Sequence, residues 1–283
     1  MARRFNIWKL LLLLIALFPG NVFASELKYD TVVRSRVEER LRAVSRDNNE
    51  RELTLKKMFA EVGCGPHVSE LKVKHVQQPD LICILPGQSD STIIVGAHFD
   101  HVEKGMGVVD NWSGASLLPS LYQGLAAQAR QHTYIFIAFA GEEKGELGSA
   151  AYVNGMSKDE VARTVAMINM DTLGLGPTKV WLSHADNQLA AALYQIAAAL
   201  KLPLSAVNVD YVGSTDSEQF ARRKIPRITI HSLTQQTWKI LHSPRDQLDA
   251  MQLGDYYDSY RLLQAYLVFL DDLKNAAPES AHH

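Results

Sequence analysis

The sequence predicts an α/β fold: a single three-layer α/β/α domain built on a mostly parallel, mixed central sheet. Short apolar runs alternate with helical patterns along most of the 283 residues, as expected of parallel strands joined by crossover helices. Several runs are almost unbroken in apolar residues, Ile93 to Ala97 and Thr164 to Asn169 among them, as strands covered on both faces must be. No repeat and no proline- or glycine-rich linker divides the chain, so residues 25–283 read as one domain, long enough for a full core.

Residues 1–24 read as an export signal. Arg3, Arg4 and Lys9 precede the apolar stretch Leu10 to Phe18, and Val22-Phe23-Ala24 supplies a small-residue cleavage site before Ser25. The stretch is short for a bilayer span, and no cysteine follows it. The expectation is a periplasmic or secreted protein with no membrane association after cleavage. With 29 basic and 31 acidic residues and no basic run, nothing calls for nucleic acid or an anionic membrane as partner. No oligomeric state is read from the sequence. Cys64 and Cys83 can pair after export, or Cys83 can stay a buried thiol within Leu81 to Leu85; neither has the CxxC spacing of a redox or zinc site.

Tyr29 to Val62 is helical in pattern, with a break near Asp47-Asn48-Asn49. Glu70 to Val76 and Leu81 to Leu85 form a candidate strand pair closed by Pro86-Gly87. Strand Thr92 to Ala97 follows, then a helical pattern from Trp112 to Arg130 that Pro119 kinks or starts late. Thr133 to Ala140 is a strand, Leu147 to Asn154 a helix, Thr164 to Asn169 a strand. Lys179 to Leu182 is a further strand and Asn187 to Leu200 an alanine-rich helix. Asp216 to Arg223 is a short helix, Arg227 to His231 a strand, and Tyr256 to Leu273 an amphipathic closing helix.

On this layout, strand ends collect metal-ligand chemistry. His98 follows one strand, with Asp110 beyond it. Gly141-Glu142-Glu143 follows the next, Asp171 a third, and His242 comes after the last. In an open α/β sheet, that edge is where ligands bind. Two histidines and three carboxylates suit zinc better than calcium. Five ligands exceed what one catalytic zinc takes, but fit a pair roughly 3.5–4 Å apart sharing a carboxylate. Asp110, Glu143 and Asp171 would offset three of the four positive charges. Neighbouring side chains on an extended segment diverge, so of Glu142 and Glu143 one can bind metal while the other serves as general base.

The motifs GAHFD, VDNWSG, GEEKGELGS, NMDTLG and LHSPRD, in this order and spacing, resemble the zinc aminopeptidase family of co-catalytic, secreted metallopeptidases. That family also includes glutaminyl cyclases and non-catalytic receptor ectodomains. The resemblance runs from about Leu53 to Leu273 and implies a phosphorylase/hydrolase-like fold. It implies two zinc ions per chain, one on His98 and Asp171, the other on Glu143 and His242, with Asp110 bridging. Glu142 would be the general base towards a metal-activated water, Asp100 a carboxylate orienting His98, and Asp246 a structural support. The implied activity is hydrolysis of the N-terminal bond of peptide substrates. A mono-zinc glutaminyl cyclase is the alternative, and a silent binding module the third reading.

Three positions depart from the family pattern. Leu241 stands where many relatives carry a tyrosine, leaving oxyanion stabilisation to the metals or to a donor among Trp238, Ser243 and Tyr211. Ser214-Thr215-Asp216-Ser217 replaces Arg-Ser-Asp-His. Trp112 occupies a position usually glycine- or alanine-bearing, where packing is the expected role. His231 and His101 are read as core or loop residues, and Trp181 as core.

Overall fold

A computed structural model describes residues 29–65 and 68–273; the export signal expected over residues 1–24 lies outside the described residues. Two helices, α1 (Arg34–Arg42) and α2 (Asn48–Glu61), open the chain. The break between them falls at Asp47, whose carboxylate accepts from the backbone N–H groups of Asn49 and Glu50 and so caps α2. The strands are β1 (Val68–Leu71), β2 (Asp80–Leu85), β3 (Thr92–His98), β4 (Thr133–Phe139), β5 (Thr164–Met170), β6 (Lys179–Ala185), β7 (Ser205–Ala206) and β8 (Arg227–His231). They form one sheet in the order β1-β2-β4-β3-β5-β8-β6-β7. The central strands β4, β3, β5 and β8 are parallel, while β2 and β6 join them antiparallel.

The remaining helices are α3 (Ser113–Ala115), α4 (Leu118–Ala126), α5 (Leu147–Gly155), α6 (Lys158–Arg163), α7 (Asn187–Leu200), α8 (Ser217–Arg222) and α9 (Leu253–Leu273). Alternation along the strands divides the core between two faces. Ile93 and Val95 pack in one cluster with Leu121 of α4, Leu193 of α7 and Leu263 of α9. Ile94, Ile137 and Met167 pack in the other with Val153 of α5 and Phe220 of α8. Each fully buried aliphatic or aromatic side chain contributes about 1.5–3 kcal/mol. The tyrosines of α9 keep their hydroxyls paired: Tyr260 accepts from Val32 N–H at 2.7 Å, and Tyr266 donates to Leu189 O at 2.9 Å. Among the described residues, no helix is long and apolar enough to cross a membrane.

The differences from the sequence reading have local causes. The strand expected over Glu70 to Val76 is instead Val68–Leu71, because the ladder with β2 ends where Leu71 meets Asp80. Beyond it the chain turns, with His75 at φ 67°. The helix expected from Trp112 starts in earnest at Leu118, with Pro119 in its first turn. Before it lies a π-turn, Val108–Trp112. Helix α6 was unforeseen, although its capping box is written as Ser157 and Glu160, each side chain taking the other's backbone N–H.

Cys64 and Cys83 form a disulfide that fastens the chain just after α2 to β2. Asp80, at the start of β2, is buried, and its Oδ1 accepts from Ala140 N–H at 2.8 Å. Burial pushes this carboxyl up to about 8, the Ala140 N–H opposing.

Two tests follow from these buried groups. Replacing both cysteines by serine removes the crosslink across a separation of 19 residues. It should cost about 3 kcal/mol, read as a melting point roughly 6–12 °C lower. For Asp80, the unfolded carboxyl titrates near 4. Between about 4 and 8 the folded protein therefore holds a proton that the unfolded chain has released, so this group's stabilisation is lost as pH rises. Urea unfolding of Asp80→Asn should show the variant gaining on the parent from pH 5 to 8; parallel pH profiles would contradict the raised pKa.

Candidate metal centre

The parallel centre of the sheet brings its carboxyl ends to one edge. His98 is the last residue of β3. β4 runs into a single 3-10 turn, Glu142–Lys144, bracketed by left-handed glycines, Gly141 at φ 76° and Gly145 at φ 97°. Those conformations suit glycine and let two consecutive glutamates face the same edge. Asp171 follows β5, and His242, itself at φ 52°, lies in the loop after β8. Asp110 sits in the π-turn, and its peptide bond to Asn111 is cis.

These side chains converge in two groups, His98 with Glu142 and Asp171, and Asp110 with Glu143 and His242; within each group the candidate ligand atoms lie within 4.8 Å of one another. Asp110 joins the groups. Its Oδ1 is 3.3 Å from His98 Nε2, and its Oδ2 is 3.2 Å from His242 Nε2. Glu143 Oε2 is 2.9 Å from His242 Nε2, and Asp171 Oδ1 is 3.8 Å from His98 Nε2. All the residues expected as ligands are thus brought together, and Glu142 Oε2 lies 3.9 Å from His98 Nε2.

Four carboxylates this close repel one another unless protons or cations lie among them. Burial holds the Glu142 carboxyl well above the usual range; His98 opposes, and Asp216, Asp171 and Asp110 reinforce. His242 is raised to about 10 by its hydrogen bonds to Asp110 and Glu143. Burial would lower His98, but the facing carboxylates, Glu142 first, raise it. Glu143 Oε1 is buried without a hydrogen-bond partner. Mixed imidazole and carboxylate donors around such an orphaned oxygen fit one or two zinc ions.

The backbone carrying these groups is held by further polar side chains. Asp100 was expected to turn His98 with its carboxylate. That carboxylate instead lies 3.8 Å from His98 Nδ1, and the Asp100 carbonyl oxygen takes the closer place at 3.2 Å. Its carboxylate oxygens accept from the N–H groups of Glu142 and Glu143 at 3.1 and 3.3 Å. Asp246 does the same for Val109 and Asp110, at 2.7 and 3.2 Å. Asn111 donates to Met170 O and accepts from Thr172 N–H, stitching the π-turn to the end of β5.

Sequence reasoning did not single out Thr215, whose hydroxyl donates to Asp171 Oδ2 at 2.6 Å and accepts from Asn169 Nδ2. Nor did it find Glu146, which accepts from Ser214 in the loop before α8 and from Gln219 within α8, and so ties the Glu142 turn to both. Both contacts involve the Ser214–Ser217 stretch that departs from the family pattern, the one available signal. Of the oxyanion candidates, Ser243 donates to Ile240 O. Tyr211 is 55% exposed and packs edge-on against Trp238. His231 accepts from Leu233 N–H at Nδ1, so its Nε2 carries the proton facing Val207 O. Burial lowers its pKa to about 4, which makes it a neutral core residue. His101 faces Arg46 O. Trp181 is buried and stacked on His184. Trp112 is buried and donates to Arg40 O.

Residues 80–267 match the family model described as Peptidase family M28. The chain is 26% identical over 209 residues to Aminopeptidase YwaD of Bacillus subtilis; the match covers 71% of this chain and 43% of that protein. It therefore spans less than half the length of that relative. By structure the chain is similar to BSAP, a zinc aminopeptidase from Bacillus subtilis, with a TM-score of 0.62 and 22% identity over 71% of this chain and 52% of that one. It is also similar to an Acidobacteriales bacterium glutaminyl cyclase, with a TM-score of 0.69 and 16% identity over 84% of this chain and 93% of that one. At these identities the two structures speak for the fold. The family match, running from buried Asp80 to Leu267 in α9, decides the relationship: this chain belongs to peptidase family M28.

Proposed function

We propose that this chain is an exported di-zinc aminopeptidase that hydrolyses the N-terminal peptide bond of its substrates. His98 and Asp171 would hold one zinc, Glu143 and His242 the other, with Asp110 shared between them. The observation that carries this reading is the placement of Asp110, one oxygen towards each histidine. The disulfide supports an oxidising compartment.

Bound zinc supplies Lewis-acid polarisation of a carbonyl and acidification of water. The chain's own contribution is positioning and proton transfer. Glu142 shares the edge with the ligands but lies in the group that already has His98 and Asp171, which suits it to take the proton of the attacking water and deliver it to the leaving amine. Asp100 holds the Glu142 and Glu143 N–H groups, fixing the direction in which both carboxylates point. Thr215 holds Asp171 differently, by donating its hydroxyl to the carboxylate itself. Tyr211, exposed and packed edge-on against Trp238, is the candidate donor to a developing oxyanion.

A glutaminyl cyclase is the second reading, favoured by a structural match that spans 93% of one such enzyme's chain. Zinc count and product separate the two.

Metal analysis of purified protein should give two zinc ions per chain, with Asp110→Asn losing both sites' affinity. One zinc, together with cyclisation of an N-terminal glutamine peptide, would favour the cyclase. Glu142→Gln should retain its zinc while turnover of an aminoacyl chromogenic substrate falls about 10²–10⁴-fold. Loss of zinc in that variant would make Glu142 a ligand, and full activity would remove it from catalysis.

A further inference from the structure

Arg51, on α2, ranks second in size among the fully buried side chains of the described residues. It lies outside the family match, which begins at residue 80. Its guanidinium hydrogen-bonds to backbone carbonyls. Nε donates to Ser45 O at 2.6 Å, Nη1 to Phe99 O at 2.7 Å, and Nη2 to Gly107 O at 3.0 Å and to Met106 O. Phe99 immediately follows His98, and Gly107 stands three residues before Asp110. One planar fork therefore grips both ends of the loop that joins two proposed ligands. The guanidinium carbon also lies 5.5 Å from the ring centre of Trp112, two residues after Asp110 in the chain. The fit is close: a Cβ at Gly107 would come within 2.8 Å of Nη2.

We propose that Arg51 is a positioning residue of the metal centre, holding the Phe99–Gly107 loop in the shape that brings His98 and Asp110 together. The inference rests on the di-zinc reading above. Charge and geometry make opposite predictions here, which makes the role measurable. As a buried cation near a cluster that is to bind cations, Arg51 disfavours metal by repulsion. Removing it should tighten zinc binding if charge is all it contributes, and weaken binding if its fork shapes the loop. Lysine keeps the charge but lacks the rigid, multidirectional donor set.

Zinc affinity is measured by competition of the metal-free proteins against a chromogenic chelator, with near-UV circular dichroism reporting the fold. The proteins compared are the parent, Arg51→Met, Arg51→Lys and Arg40→Met. Arg40 is the control: a buried arginine on α1 whose guanidinium bonds Ser120 and Gln123 of α4, not the loop. The expected result is zinc binding about 10–100-fold weaker in Arg51→Met, a smaller loss in Arg51→Lys, and parental affinity in Arg40→Met despite lower stability. Arg51→Lys decides if Arg51→Met fails to fold. Unchanged or tighter binding in a folded Arg51 variant, or an equal loss in Arg40→Met, would reduce Arg51 to an ordinary structural brace. A parent protein that binds no zinc would instead remove the metal-centre reading itself.

Discussion

Everything at the open edge of this sheet is arranged around the repulsion among Asp110, Glu142, Glu143 and Asp171. Bare carboxylates at such separations would drive their loops apart, so the backbone must be held by forces that do not depend on them. The arrangement meets that demand with a second ring of acceptors aimed at backbone N–H groups. Asp100 takes those of Glu142 and Glu143, Asp246 those of Val109 and Asp110, and Asn111 Oδ1 those of Gly114 and Thr172. Each of these bonds is directed at the main chain and takes no oxygen of an inner carboxylate.

This division of labour explains what could be read in the sequence. Strands β3, β4 and β5 announce themselves because burial on both faces demands uninterrupted apolar runs, and each run stops at a polar residue of the candidate site. The strand ends therefore pointed directly to His98, Glu142, Glu143 and Asp171. Asp110 and His242 were read from the loops beyond those strands, irregular backbone that no periodicity describes.

The outer ring was far less legible. Apart from the bond between Asn111 and Gly114, its bonds join residues distant in sequence, and all are made to main-chain atoms, which leave no trace in residue type. Asp100 illustrates the limit. Its importance was anticipated, but its carboxylate accepts from the Glu142 turn and stands 3.8 Å from His98 Nδ1, while its carbonyl is closer at 3.2 Å. Thr215 was hidden in a stretch that registered only as a departure from a pattern, and Glu146 finds one of its partners, Ser214, in that same stretch. Short elements failed similarly. β7 is two residues long, and β1 ends where its partner does, a fact of the neighbouring strand rather than of Glu70 to Val76.

The N-terminal helices add a constraint that the family-matched region lacks. Helix α2 is fixed to the sheet at its carboxyl end by Cys64–Cys83, and its first residues are capped by Asp47. Between that capped start and the disulfide, Arg51 enters the interior from a helix tied covalently to the sheet. A guanidinium on a loosely docked helix would follow the loop it binds; one on a helix pinned to β2 makes the loop follow the sheet. The same sheet carries His98 at the end of β3, one residue before the carbonyl that Arg51 holds. Loop, ligand and brace are thus referred to a single rigid body. For a site whose charges push outward, that common reference matters more than the strength of any one bond.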